Sequence, residues 1–287
     1  MTTAIEVKNL TKSFGKTEVL HGVTFSVCKG EIFALLGVNG AGKTTALECM
    51  EGLLRYEQGE INIKGRIGIQ LQSSSLPKNM KGREALRFFS KWKRVTPDKE
   101  ILCATGADTL LNKQYGDMST GQKRRLHLAL SMLGDPDILF LDEPTAGLDV
   151  EGRAALHDEL RRLKKLAKTI VLASHDMSEV EQLCDRAAIL KDGKIETIGV
   201  PVELAQNVQG SFLLQMRFSS PPDFHGLTHC KYMNEGHGYW TFETDNLTAA
   251  LEETAILARQ QGIAIHDVRV EQQSLENCFL AIAREGR

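Results

Sequence analysis

Short apolar runs rich in β-branched residues occupy positions 31–36, 138–141 and 169–173, and longer stretches with apolar residues at helical spacing lie between them. This alternation predicts a layered α/β domain with a largely parallel core sheet. Positions 67–71 read as a further strand, 43–50 as a helix, and 123–133 as a basic, leucine-rich helix. Nearer the N-terminus, positions 4–10 and 19–27 alternate apolar and polar residues as half-exposed strands do. The pair Asp192-Gly193, set among the apolar residues of 189–195, is a hairpin turn signal. Together these segments predict a smaller antiparallel sheet flanking the core.

Beyond Pro201 and a polar stretch at 206–210 the pattern changes. Positions 212–218 read as a strand broken by Ser219, Ser220, Pro221 and Pro222. Two short runs, 230–233 and 239–244, flank a glycine-containing turn, and 247–261 carries an apolar stripe that stops at Gly262. Positions 263–270 alternate again, and Ser274 is placed to cap a last helix. The expected organisation is therefore a large domain over residues 1–210 and a small α+β domain over 211–287.

Composition changes little. With 42% hydrophobic and 25% charged residues over 287 positions, disordered and fibrous classes are excluded. The net charge of -2 offers no general basic field, so no nucleic acid partner is expected. The opening MTTAIEVKNL lacks the form of a secretory signal, and no run reaches the length of a spanning helix, so the expected place is the cytoplasm. Six cysteines without metal-ligand spacing fit reduced, structural thiols.

Chemistry enters at residues 37–44. Gly37, Asn39, Gly40, Ala41, Gly42, Lys43 and Thr44 satisfy GxxxxGK[ST] between a predicted strand and a predicted helix, which Thr45 continues. Glycines there let successive N–H groups turn inward on phosphate oxygens, Lys43 adds a positive charge, and the Thr44 hydroxyl suits Mg²⁺. A phosphate loop of this kind serves many nucleotide hydrolases. The strand at 138–141 ends in Asp142 and Glu143, which sets one carboxylate for Mg²⁺ and a second as general base for the attacking water.

Met118-Ser119-Thr120-Gly121-Gln122 upstream of that strand, and Pro144-Thr145-Ala146-Gly147-Leu148-Asp149 after it, resemble the motifs of the ATP-binding cassette (ABC) family. Met118 and Thr120 depart from that family's common Leu-Ser-Gly-Gly-Gln. The resemblance spans residues 1 to about 208, with compact stretches at 59–72 and 78–117. It implies a P-loop core with a parallel sheet, a flanking antiparallel subdomain and a helical subdomain. It also implies that Phe14 stacks on adenine and that Gln72, with Gln70 as the other register, senses Mg²⁺ and the attacking water. His175 would contact the γ-phosphate, and Asp149 would lie in a loop crossing between subunits. Ser119, Gly121 and Gln122 would complete the ATP site of a second copy; read without the family, Ser119 is a plain helix N-cap that needs no ligand, and core packing is the alternative for Phe14. The implied protein is an ATPase using ATP and Mg²⁺, working as a homodimer on the cytoplasmic face of the membrane with a separate permease. The tail, with Leu275 and Phe279, is similar to extensions on bacterial export ATPases, which leans the reading towards export. The transported substrate is not written in this chain.

Overall fold

The computed structural model describes residues 2–70, 76–207, 212–224 and 226–272. The chain divides into two compact units, Met1–Pro201 and Val202–Arg287, a division that falls ahead of the expected position near 210.

The first unit opens with the hairpin β1 (Thr3–Phe14) and β2 (Thr17–Cys28), followed by β3 (Ile32–Leu36), α1 (Lys43–Met50), β4 (Gln58–Ile63) and β5 (Ile67–Gln70). The helices α2 (Gly82–Lys93), α3 (Lys99–Ala104) and α4 (Thr120–Ser131) come next, with two short 3₁₀ turns between α3 and α4. Then β6 (Ile138–Asp142), α5 (Val150–Lys165), β7 (Thr169–Ser174), α6 (Met177–Leu183), β8 (Arg186–Lys191) and β9 (Lys194–Gly199) complete the unit. A further helix, α7 (Pro201–Asn207), crosses the division.

The central sheet has the order β5-β6-β7-β3-β8-β9 and is parallel except for the β8–β9 edge hairpin. Every residue of β3, β6 and β7 is buried, as expected of strands covered on both faces. The small antiparallel sheet is β2-β1-β4. The Asp192-Gly193 turn thus closes a hairpin of the central sheet rather than of the small one. A reason lies in β8, whose Ala187, Ala188 and Ile189 are fully buried and pair in parallel with β3, which places the strand in the central sheet. One core joins the two sheets through Ile5, Val7, Leu10, Phe25, Phe33 and Phe140, with Phe25 and Phe33 stacked at 5.4 Å.

The helical part has its own core of Ala85, Leu86, Tyr115, Met118, Leu126 and Leu130. Met118 is 4% exposed, so methionine fills this core where the family pattern has leucine. The second unit is an α+β layer: the sheet β11-β12-β10-β13, built from β10 (Phe212–Phe218), β11 (Lys231–Gly236), β12 (Tyr239–Thr244) and β13 (Ile265–Gln272), covered by α8 (Leu247–Gln260). Alternating burial along β12 presents Trp240 and Phe242 to α8, where Ala250 and Ala258 close a separate core. The expected last helix at Ser274 lies outside the described residues.

Candidate functional site

Three neighbouring strands of the central sheet end at the same edge. Register pairs Asp142 of β6 with Ala173 of β7, and Ser174 of β7 with Leu36 of β3. The residues that follow each strand, Glu143, His175 and Gly37, therefore emerge side by side at the carboxyl edge, where open α/β sheets bind ligands.

The loop after β3 can be built only with glycine at its ends. A Cβ on Gly37 would stand 2.4 Å from the Leu190 carbonyl oxygen, and one on Gly42 2.8 Å from Leu20 Cδ2 with φ at 103°. Gly42 is the N-cap of α1, so the helix starts inside the loop and its first N–H groups face the concave side. Ala41 is buried, Asn39, Gly40 and Thr44 are exposed, and Thr45 is half-buried. A brace not foreseen from the sequence is the β8–β9 turn. The Gly193 N–H donates to the Ala41 carbonyl at 3.1 Å, and the Gly193 carbonyl accepts the His21 N–H at 2.9 Å.

Lys43 folds back over its own loop, its Nζ donating to the carbonyls of Gly37 at 2.7 Å and Val38 at 3.1 Å. Burial lowers its pKa, while Glu143 and Asp142 oppose that shift. Glu143 Oε1 lies 3.8 Å from Lys43 Nζ, and Glu143 Oε2 lies 2.8 Å from His175 Nδ1. Glu143 adopts φ 47°, a left-handed conformation rare for a side-chain-bearing residue, and its N–H donates to the Ala173 carbonyl at 3.0 Å. The chain thus turns sharply at β6 and lays the carboxylate across the strand ends. Glu143 is 6% exposed, whereas the His175 side chain is 56% exposed and open to a ligand.

Asp142 is buried, and its pKa is raised chiefly by that burial, against a hydrogen bond from the Thr44 side chain. Its Oδ1 is buried with no hydrogen-bond partner. An orphaned carboxylate oxygen beside a threonine hydroxyl is a hard-oxygen pair of the kind Mg²⁺ takes together with phosphate oxygens. No group of three or more His, Cys, Asp or Glu that could hold a metal by itself exists among the described residues. Arg124, half-buried on α4, lies in the field of Asp142 and Glu143, a proximity not legible in the sequence.

The remaining expected residues lie apart from this cluster or face outward. Phe14 is 51% exposed at the end of β1 with Lys12 Nζ 5.2 Å from its ring, so it is not a core residue. Ser119 is the exposed N-cap of α4: its Oγ accepts the Gln122 N–H at 3.3 Å, and Gln122 Oε1 accepts the Ser119 N–H at 3.2 Å. Gly121 and Thr120 pack beside the 147–152 segment, with Thr120 Cγ2 3.9 Å from the Cβ position of Gly147. Asp149 is exposed and caps α5 by accepting the Gly152 N–H at 2.7 Å. Gln72 lies outside the described residues. Gln70, the other register, is 2% exposed at the end of β5 with both amide atoms unpartnered.

The family described as ABC transporter matches residues 20–146. The linearmycin resistance ATP-binding protein of Bacillus subtilis is 31% identical over 301 residues, which cover 96% of this chain and 97% of that protein. The Nod factor export ATP-binding protein I of Burkholderia lata is 34% identical over 235 residues, covering 76% of this chain and 77% of that one. Among solved structures, an ATP-binding subunit of an ABC transporter superposes with a TM-score of 0.62 at 26% identity, covering 71% of this chain and 92% of that one. A second, an ATP-binding cassette of an ABC transporter in its ADP conformation, gives a TM-score of 0.63 at 21% identity over 70% of this chain and 92% of that chain.

Proposed function

The chain belongs to the family of ABC transporter ATP-binding proteins and is an ATP-binding, ATP-hydrolysing subunit; from that premise we propose that Glu143, His175 and Lys43 carry the hydrolysis, and that a separate membrane permease turns it into export. The observation that supports this most directly is the contact chain from Lys43 through Glu143 to His175, with steps of 3.8 and 2.8 Å.

In this reading Lys43 leaves its two loop carbonyls for the β- and γ-phosphates, and the N–H groups of residues 40–45 cradle the same oxygens. Glu143 holds a proton of the attacking water on the carboxylate oxygen that His175 does not occupy. His175, mostly exposed, keeps that carboxylate oriented from one side and offers its other ring nitrogen to the γ-phosphate. Phe14 presents an open ring face for adenine. Asp142 and Thr44 hold Mg²⁺, which when bound neutralises developing charge on the phosphate oxygens.

Ser119, Gly121, Gln122 and Asp149 serve a second copy of the chain. The exposure of Ser119 and Asp149 supports this, as does Val150 beside them, 86% exposed at the start of α5. A helix N-terminus with an exposed hydroxyl and a glycine is a surface fitted to an anionic group held by another molecule. Two copies closed on two ATP molecules would open when hydrolysis removes the γ-phosphate contacts. No helix among the described residues is long and apolar enough to cross a membrane; in this reading the permease carries the transport path and this subunit docks on its cytoplasmic face. Export rather than import follows the relatives named for Nod factor export and linearmycin resistance.

ATPase turnover of Glu143→Gln tests the assignment. The expected loss in kcat is roughly 100- to 10,000-fold with ATP binding retained, the range of a positioned general base. Turnover equal to that of the unaltered protein would remove Glu143 from this role.

A further inference from the structure

The helix α5 and the segment after β7 face each other along a row of polar pairs that the reaction as described leaves unused. Arg153 Nη1 donates to Asp176 Oδ2 at 2.7 Å, and His157 Nε2 lies 3.5 Å from Glu179 Oε1. Further along, Arg161 Nη2 donates to the Gln182 carbonyl at 3.2 Å and Lys164 Nζ to Asp185 Oδ1 at 2.5 Å. Positions 153, 157, 161 and 164 share one helical face, and 176, 179, 182 and 185 lie opposite at intervals of three. The rungs are in register over most of α5.

One end of this ladder adjoins the site, and the other is tied to the strand that leads into it. At the far end, Asp185 Oδ2 accepts the Ile32 N–H at 2.8 Å and the Asp185 N–H donates to the Ile32 carbonyl at 2.8 Å, which fixes it to the strand leading into the phosphate loop. At the near end, Asp149 caps α5 one turn before Arg153, and His175 directly precedes Asp176, which caps α6. The second rung is interior: His157 is 4% and Glu179 1% exposed. Glu179 Oε2 accepts the hydroxyl of Ser174 at 2.6 Å, the residue just before His175. Yet His157 Nε2 and Glu179 Oε1 both lack a hydrogen-bond partner, so this rung has room to tighten.

We propose that Arg153, His157 and Glu179 are positioning residues that lock α5 and α6 into one body, so that a shift of the exposed Asp149 loop is delivered to His175 and through it to Glu143. The inference rests on the reading of Glu143 and His175 as the hydrolytic pair. Physically, the charge pairs Arg153–Asp176 and Lys164–Asp185, with the Arg161–Gln182 carbonyl bond between them, tie α5 to the segment after β7 at both ends and so resist its displacement. In the buried rung neither facing atom has another partner, so each is better placed beside the other than apart. With the far end tied to β3, the free motion left is a tilt at the end that carries Asp149 and His175.

Steady-state ATPase kinetics of Arg153→Ala, Arg153→Lys, Glu179→Gln and His175→Ala, alone and combined, test this. The Arg153 side chain is 41% exposed, so its removal leaves the core intact. Arg153→Ala is expected to lower kcat about tenfold with KM for ATP within about twofold, as misplacement of a catalytic group does. Arg153→Lys keeps a donor and should recover most of the loss. Glu179→Gln, which keeps the side chain's shape, should lower kcat in the same way. The decisive measurement is the cycle: in a His175→Ala background, Arg153→Ala should have no further effect. Losses that multiply independently, or an Arg153→Ala enzyme with unchanged kcat while His175→Ala is impaired, would overturn the ladder but leave the hydrolytic pair standing. An unimpaired His175→Ala would overturn the pair itself, and the ladder with it.

Discussion

His127 sits on the inner face of α4 with its Nε2 3.0 Å from the Tyr115 hydroxyl and the two rings edge to face. Burial, helped by the charge of Arg124, lowers its pKa from 6.5 to about 4. The native state therefore keeps the ring neutral while the unfolded chain takes a proton at 6.5, so stability falls as pH drops from 6.5 towards 4. By pH 4.5 the expected loss is about 2–3 kcal/mol. Glu51 acts in the opposite sense: burial raises its pKa to about 7, so the stability it allows below 4.5 is lost as pH rises towards 7. The two trends offset each other in the whole protein, and only a comparison isolates one. The urea midpoint of His127→Gln should fall less between pH 7 and pH 4.5 than that of the unaltered chain, and parallel curves would contradict a neutral buried imidazole. Neither group was marked by the sequence, because what sets each apart is its surroundings. Glu143 is legible from the apolar strand it follows, whereas His175 is legible only through the family resemblance. Gln70 shows the limit: its burial and two orphaned amide atoms are facts of packing that a choice of register cannot supply.

At the scale of elements, the turn between β8 and β9 carries more than a hairpin. Asp192-Gly193 is readable as a turn, but its task depends on β2 lying alongside, a long-range contact absent from local pattern. A Cβ on Gly193 would come 2.2 Å from the Val19 carbonyl oxygen and 2.6 Å from the His21 ring, at φ 73°. Gly193→Ala must push β2 away, and β2 side chains also seat Gly42. The expected cost is about 2–4 kcal/mol from strained backbone and overpacking. Because the Gly193 N–H holds the Ala41 carbonyl, ATP affinity should fall as well, which calorimetric titration would read. Loss of stability with unchanged affinity would show that the brace supports the sheets alone. The same reasoning explains why the central strands were foreseen and the sheet of the hairpin was not. Strands β3, β6 and β7 are continuous apolar runs because both faces are covered. The apolar alternation across the hairpin fits either sheet, and only the parallel pairing of β8 with β3 decides between them.

The whole chain divides into two units, each with an apolar core of its own: Phe33, Phe140 and their neighbours in the first, Phe218, Trp240 and Phe242 in the second. The change of pattern at 206–210 falls inside the second unit, which begins at Val202. The nucleotide groups at the sheet edge, from Gly37 through His175, belong to the first unit alone. Separate cores predict separate unfolding, and the ligand should distinguish the two events. A ligand that binds only the native state adds about 2.7 kcal/mol at a concentration a hundred times its Kd. For a unit of this size that raises Tm by roughly 5–10 °C. Scanning calorimetry of Glu143→Gln, which spares the ATP, should thus show two transitions, with MgATP moving only the one assigned to residues 1–201. If ATP shifted both transitions together, or if a single transition carried the whole heat, the second unit would be part of the nucleotide-responsive body, and its role would have to be sought in the ATP cycle itself.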